Sequence, residues 1–193
     1  MIKLPIAENV PIGYEIPLEP AIDNDYGLLS IQSYELYPTI NNPFRLLKNS
    51  KPILKLDQIL DREIKSYYLL KLIAYDGGQP TLSGEQIIEI IITDVNDNAP
   101  TFDQLIYRKS LPENQPIDSL IIKIHAIDPD EGENARIDYS IDDPSSTFNI
   151  NHQTGDIFLR KSLDYEKIRS YSITIKGSFF FLLRSFQRFF LNV

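Results

Sequence analysis

The chain has 193 residues, 42% of them hydrophobic, which is enough for one large core or two small ones and argues against a disordered class. Its 19 Lys and Arg against 27 Asp and Glu leave a net charge of -8, which disfavours a nucleic-acid backbone as partner and favours cations. With no Cys, and with His125 and His152 the only histidines, disulfides and thiolate chemistry are excluded and a histidine-based zinc or acid-base site is thinly supplied, so carboxylates must carry most of any chemistry.

In chain order, Met1 to Pro5 lacks the apolar core of a signal peptide, and no apolar run approaches the ~20 residues that cross a bilayer. From Ile6 onward the same text is written twice. Ile6-Ala7-Glu8-Asn9-Val10-Pro11 returns as Leu111-Pro112-Glu113-Asn114-Gln115-Pro116, and Ala21 to Gly27 returns as Ala126 to Gly132, both 105 residues later. Tyr34 and Tyr139 keep that spacing, and Leu60-Asp61-Arg62-Glu63 returns as Leu163-Asp164-Tyr165-Glu166 after 103. A unit of about 100 residues is too long for a solenoid repeat and suits a β-sandwich. Tyr68, Leu70, Leu72 and Ala74 alternate as one face of a strand, and Asp76 to Pro80 reads as a turn. Proline in Asn98-Ala99-Pro100 marks the junction. Beyond it, the alternation in Ser119 to Ile127 predicts Leu120, Ile122, Ile124 and Ala126 on one face, with Lys123 and His125 on the other. A turn at Gln153 to Asp156 and a strand through Tyr171, Ile173 and Ile175 follow, and no long helical period appears before the C-terminus.

The duplicated segments are acidic and fall where strands end. Carboxylates ~4 Å apart repel by several kcal/mol at intermediate dielectric, so such clusters need a cation or open solvent, and many hard oxygens favour calcium over magnesium. Asp128 to Gly132 opens like an EF-hand loop, but the sixth position is Glu133 and the twelfth Tyr139, which rejects that motif. Asp61 with Glu63, or Asp164 with Glu166, could form a glycosidase pair, yet the duplication places them at domain ends, and no nucleophile elbow or phosphate loop supports an enzyme. A solvated acidic surface explains one Asp-x-Asp pair but not the same sets twice in order. His125 and His152 read as an outward strand position and a turn residue without function.

Asp94-Val95-Asn96-Asp97-Asn98-Ala99-Pro100-Thr101-Phe102 resembles the linker between extracellular cadherin repeats, and Pro112-Glu113-Asn114, Asp128 to Asn134 and Leu60 to Glu63 resemble its companion signatures. The likeness covers Met1 to Ser178 and is narrower to protocadherins. Ala21 to Leu36 is similar to the second repeat of a clustered-type protocadherin, with the third following. The resemblance implies an all-β fold of two tandem cadherin-type Greek-key β-sandwiches, the second incomplete at its C-terminal end. Residues 1–98 are expected to form a first repeat truncated at its N-terminal edge, residues 99–178 the second, and residues 179–193 a divergent Phe-rich tail.

By the same resemblance, calcium would be the cofactor at the one complete junction. Glu8, Asp61, Glu63 and Asp97 match ligands of the two ions nearest the first repeat. Asn96 would offer a side-chain oxygen, Val95 and Asn98 backbone carbonyls, and Asp128, Asp130 and the Asn134 carbonyl would close the cage. Asp23, Asp25 and Asp76 would face a preceding repeat, and Glu113, Asp164 and Glu166 a following one. Gly177-Ser178-Phe179-Phe180 departs from the Ala74-Tyr75-Asp76-Gly77 of the first repeat, so a third ion is expected to be weak or absent. The absence of Trp excludes tryptophan-exchange adhesion.

The tail has three readings: a helix with Arg184, Arg188 and Asn192 on one face, a strand in which Phe179 to Leu183 replaces the missing edge, or, the preferred one, a truncated or read-through end without an evolved role. The resemblance implies calcium-dependent, homophilic cell-cell adhesion without catalysis. The partner would be another copy of the same or a related cadherin, at the extracellular face of the plasma membrane, on a single-pass membrane parent. A calcium-stiffened spacer and a heterophilic binding module are the alternatives.

Overall fold

Period-two alternation produces strands throughout. The computed structural model describes residues 1–47, 51–179 and 183–193, and it divides into two units, Met1–Val95 and Asn96–Val193, each with its own core.

In the first unit the strands are β1 (Ile2–Ala7), β2 (Glu15–Pro17), β3 (Ile31–Tyr37), β4 (Phe44–Leu47), β5 (Ile53–Leu56), β6 (Tyr67–Asp76) and β7 (Ser83–Thr93), with one 3-10 turn at Gly27–Leu29. They form a four-stranded sheet, β1-β7-β6-β3, and a three-stranded sheet, β2-β5-β4. The predicted face of β6 is the core face: Leu70, Leu72 and Ala74 are buried and Tyr68 half-buried. Leu54, Leu56, Ile88 and Ile90 are fully enclosed around them, and Phe44 meets Tyr68 edge-on with ring centroids 5.6 Å apart.

The second unit carries β8 (Thr101–Phe102), β9 (Ile106–Ser110), β10 (Leu120–Lys123), β11 (Ala126–Ile127), β12 (Asp138–Asp142), β13 (Phe148–Ile150), β14 (Asp156–Leu159), β15 (Ser170–Phe179) and β16 (Leu183–Asn192). The sheets are β12-β15-β16-β9 and β10-β14-β13, with β8 and β11 paired at one end. Tyr171, Ile173 and Ile175 are buried as the alternation predicts, and Phe148 meets Tyr171 edge-on at 5.2 Å. That aromatic pair repeats Phe44 and Tyr68, so the duplication extends into the packing. Both units also join an early strand to their last in parallel, β1 to β7 and β9 to β16.

Two expectations are corrected. The alternation in Ser119 to Ile127 is interrupted by a bulge in the β10–β14 pairing between Leu120 and Ile122. A bulge adds one residue and turns the side chains beyond it to the opposite face. Ile121 is therefore buried and Leu120 exposed, while Ile124 and Ala126 keep their inward positions. The larger correction concerns the tail. β16 pairs with β15 from Ser170↔Asn192 to Phe179↔Leu183, and with β9 from Ile106↔Arg188 to Ser110↔Asn192. Phe189 and Leu191 point inward and are fully buried, while Arg188 and Asn192 are exposed, which is strand alternation and not a helical face. The tail is an interior strand of the larger sheet, and the second unit has the last strand that a divergent end would have denied it. Phe180 to Leu182, on which part of the tail reading falls, lie outside the described residues.

Candidate metal centre

Within the first unit, Glu8 follows β1, Asp61 to Glu63 form a turn before β6, and Asp94 and Val95 follow β7, so three chain crossings end together. Glu8 is only 3% exposed. One carboxylate oxygen accepts the Arg62 backbone N–H at 2.7 Å and the other the Val95 N–H at 2.8 Å. Burying a carboxylate is costly unless its oxygens are paired, and two N–H donors hold this one in place. The Asp61 carboxylate accepts the Ile64 N–H at 2.9 Å. Arg62 donates through Nε to Asp94 at 2.6 Å and through a terminal nitrogen to Glu63, all three side chains being largely shielded. Sequence reasoning gave Arg62 and Asp94 no ligand role; one cation among the acids of Asp61-Arg62-Glu63 was the available signal.

In the second unit, Asn96, Asp97 and Asn98 precede β8, and Asp128 and Asp130 follow β11. The Asp128 carboxylate accepts the Asp130 N–H at 3.1 Å, an Asx turn that fixes both. Asp130 is 6% exposed and accepts the Asn98 side-chain amide at 2.8 Å and its backbone N–H at 3.4 Å. The same amide reaches Asp97 at 2.8 Å. Asn98 thus acts through its side chain, beyond the carbonyl expected of it. Asn96 donates its amide to the Asn134 carbonyl at 3.2 Å, and its own side-chain oxygen is buried with no hydrogen-bond donor among the described residues. A buried acceptor without a donor is uncommon and fits a cation ligand.

The outer sets are also assembled. Asp23, Asp25 and Asp76 line one cavity of about 220 Å3 in the first unit. Asp23 accepts the Asp25 N–H at 2.9 Å, repeating Asp128 and Asp130, and Asp76 accepts Gly78 at 3.1 Å and Leu82 at 2.7 Å. In the second unit Glu113 accepts the Tyr165 N–H at 3.1 Å, as Glu8 accepts that of Arg62. Asp164 accepts the Lys167 N–H at 3.1 Å and pairs with its ammonium, and Glu166 is exposed in the same turn. The Lys167 hydrogen bond and charge hold the Asp164 carboxyl below its ordinary range and raise the lysine. The strand registers equate Asp76 with Phe179, since Tyr34 pairs with Ala74 as Tyr139 pairs with Gly177, two residues earlier in each strand. Phe offers no oxygen at that position.

A family profile described as the cadherin domain matches residues 3–93 and 107–178. The chain belongs to the cadherin family. It is 40% identical over 181 residues to human protocadherin gamma-B5, an alignment covering 91% of this chain, and 40% identical over 182 residues to chimpanzee protocadherin gamma-C5, covering 89%. These cadherin repeats span about one fifth of the relatives, 19% in each case. Among solved structures, protocadherin gamma B2 extracellular cadherin domains 1-5 superpose with a TM-score of 0.93 at 34% identity, covering 99% of this chain and 38% of that one. Protocadherin gamma B7 extracellular cadherin domains 1-4 give 0.91 at 36% identity, covering 100% and 48%. The fold is thus a tandem pair of protocadherin-like cadherin repeats.

Proposed function

We propose that this repeat pair is part of a calcium-dependent, homophilic cell-adhesion ectodomain, outside the plasma membrane and free of catalysis. The observation that carries the reading is the fixed donor set on each side of Val95 and Asn96, above all the buried Asn96 oxygen that no hydrogen-bond donor among the described residues satisfies. Glu8, Asp61, Glu63 and Asp97 would hold two calcium ions, with Asn96, the Val95 and Asn98 carbonyls, Asp128, Asp130 and Asn134 completing the set. Calcium supplies positive charge that neutralises carboxylates of both units at once. Glu8 and Asp130 are already buried and fastened by backbone and amide donors, so their ordering cost falls on folding and not on ion binding.

Asp23, Asp25 and Asp76, and likewise Glu113, Asp164 and Glu166, would be half-sites completed by neighbouring repeats. Two units held by shared ions would keep distant recognition surfaces in register, which a flexible linker cannot do. The support for adhesion is membership of the cadherin family and the likeness to protocadherins. Bead aggregation by a longer ectodomain carrying these repeats tests it. Beads bearing one such protein should cluster in calcium and disperse with chelator, and Asp97→Ala should prevent clustering. Dispersed beads in calcium would identify a spacer; clustering only with beads bearing a different protein would identify a heterophilic module.

A further inference from the structure

In the second unit an open cleft of about 550 Å3 lies beside β10 and β12. Ala126, Ile137 and Tyr139 give it an apolar floor, and Lys123, His125 and Arg136 stand exposed around it. Among the described residues no carboxylate lines the cleft, although acids outnumber Lys and Arg by 27 to 19 in the chain. The backbone of its rim is fixed without a ligand. The His125 carbonyl accepts the Asp103 N–H at 3.1 Å and the Tyr107 hydroxyl at 3.2 Å, and the Tyr139 hydroxyl accepts the Ala126 N–H at 3.0 Å. The Arg136 N–H donates to the Glu133 carbonyl at 3.1 Å, and the N–H groups of Gln153 and Thr154, which also border the cleft, donate to the Asn151 side chain at 2.9 and 3.2 Å. The Arg136 guanidinium lies 3.9 Å from Glu133 and 3.9 Å from Asp138, beyond hydrogen-bond reach of either, so it keeps donors for a ligand.

The duplication shows that the fold does not require these cations. Lys123 pairs with Asp156, three residues before Leu159, as Pro17 pairs with Ile53, three residues before Leu56, and the two leucines sit opposite Phe148 and Phe44. His125 directly precedes Ala126 as Pro20 precedes Ala21, and Arg136 stands three residues ahead of Tyr139 as Ile31 does of Tyr34. Where the second unit has Lys, His and Arg, the first has Pro17, Pro20 and Ile31. We propose that this cleft binds an acidic sugar, a saccharide unit that carries a carboxylate or a sulfate on a cell-surface glycan. The proposal rests on the extracellular placement given above, where such glycans are met. Arg136 and Lys123 supply charge-assisted hydrogen bonds to the oxyanion, the Gln153 amide reaches sugar hydroxyls, and the apolar floor packs against the C–H face of the ring. A bare ion would leave that floor unused, and the volume falls in the range of roughly 300–1,000 Å3 of small-ligand clefts.

The test is an NMR titration of the 193-residue chain in chelator with sialyllactose, sulfated N-acetyllactosamine and uncharged lactose, alongside inorganic sulfate and an acidic tetrapeptide. Saturable shifts at Lys123, His125 and Thr154 are expected with one or both acidic sugars and none with lactose. Sialyllactose alone would identify the carboxylate as the ligand group, and the sulfated sugar alone the sulfate. Arg136→Gln and Lys123→Gln should each weaken Kd about tenfold or more, the ratio that follows from losing a charged hydrogen bond, while Lys109→Gln, exposed on β9, should not. All three side chains are exposed, so the variants should melt with the parent. No saturable shift with either acidic sugar would overturn the proposal, as would shifts that survive both substitutions. Inorganic sulfate bound as tightly as the sulfated sugar, or a tetrapeptide bound more tightly than both sugars, would overturn the choice of a saccharide. With no calcium and no beads in the assay, failure of sugar binding and failure of adhesion are read separately.

Discussion

Glu8 is the residue on which the junction side of the first unit turns. Its two oxygens hold the N–H groups of Arg62 and Val95, so it organises the acidic turn and the end of β7 together. Glu8→Ala should cost about 1–3 kcal/mol even in chelator, read by urea unfolding, because buried donors lose their acceptor. Calcium titration should separate Asp97→Ala from Asp76→Ala. The first should lose far more affinity, because Asp97 belongs to the set proposed as complete and Asp76 to a half-site. Lys167 pairs its charge with Asp164, a member of a proposed half-site. In Lys167→Met an NMR titration should find the Asp164 carboxyl returned upward to the ordinary range. The sign for stability follows: a depressed folded value stabilises above the unfolded pKa and the benefit is lost as pH falls through the folded one. For so exposed a pair the effect is small.

Among the elements, β16 is decisive for the second unit. Phe189 is fully buried and sits opposite both Ile173 of β15 and Tyr107 of β9. Phe189→Ala should destabilise the second unit by about 3–5 kcal/mol in denaturant unfolding, and ending the chain at Ser178 should leave that unit unfolded by circular dichroism. A tail without a structural role would tolerate both changes. The strand was hard to read in the sequence because its run of Phe is interrupted by Arg184 and Arg188 and because the motif after Ile175 departs from the family. β6 and β15 were legible because one face of each is buried and the alternation is unbroken. The bulge in β10 was not, since Leu120, Ile121 and Ile122 are equally apolar and only the pairing with β14 selects which turns inward. The acidic sets were legible through their repetition, whereas Arg62 bridging Asp94 and Glu63 depends on chain crossings that no spacing encodes.

For the whole molecule, calcium near ~10⁻⁴ to 10⁻³ M should raise the melting temperature, since a ligand that binds only the folded state adds to its stability. An unchanged melting temperature between chelator and several millimolar calcium would refute the metal centre. The ion nearest the second unit's own acids should be the weakest, because Phe179 stands where Asp76 stands in the first. The parallel pairing of an early strand with the last in each unit has a mechanical consequence. Because β1 and β7 run parallel, as do β9 and β16, a pull applied at the start of β1 or β9 and at the end of its partner strand drags the two strands past each other. All the slanted bonds of the pair, from Ile2↔Ile88 to Ala7↔Thr93, are then loaded together instead of opening one by one. Each unit is thereby clasped against tension that runs along its own paired strands.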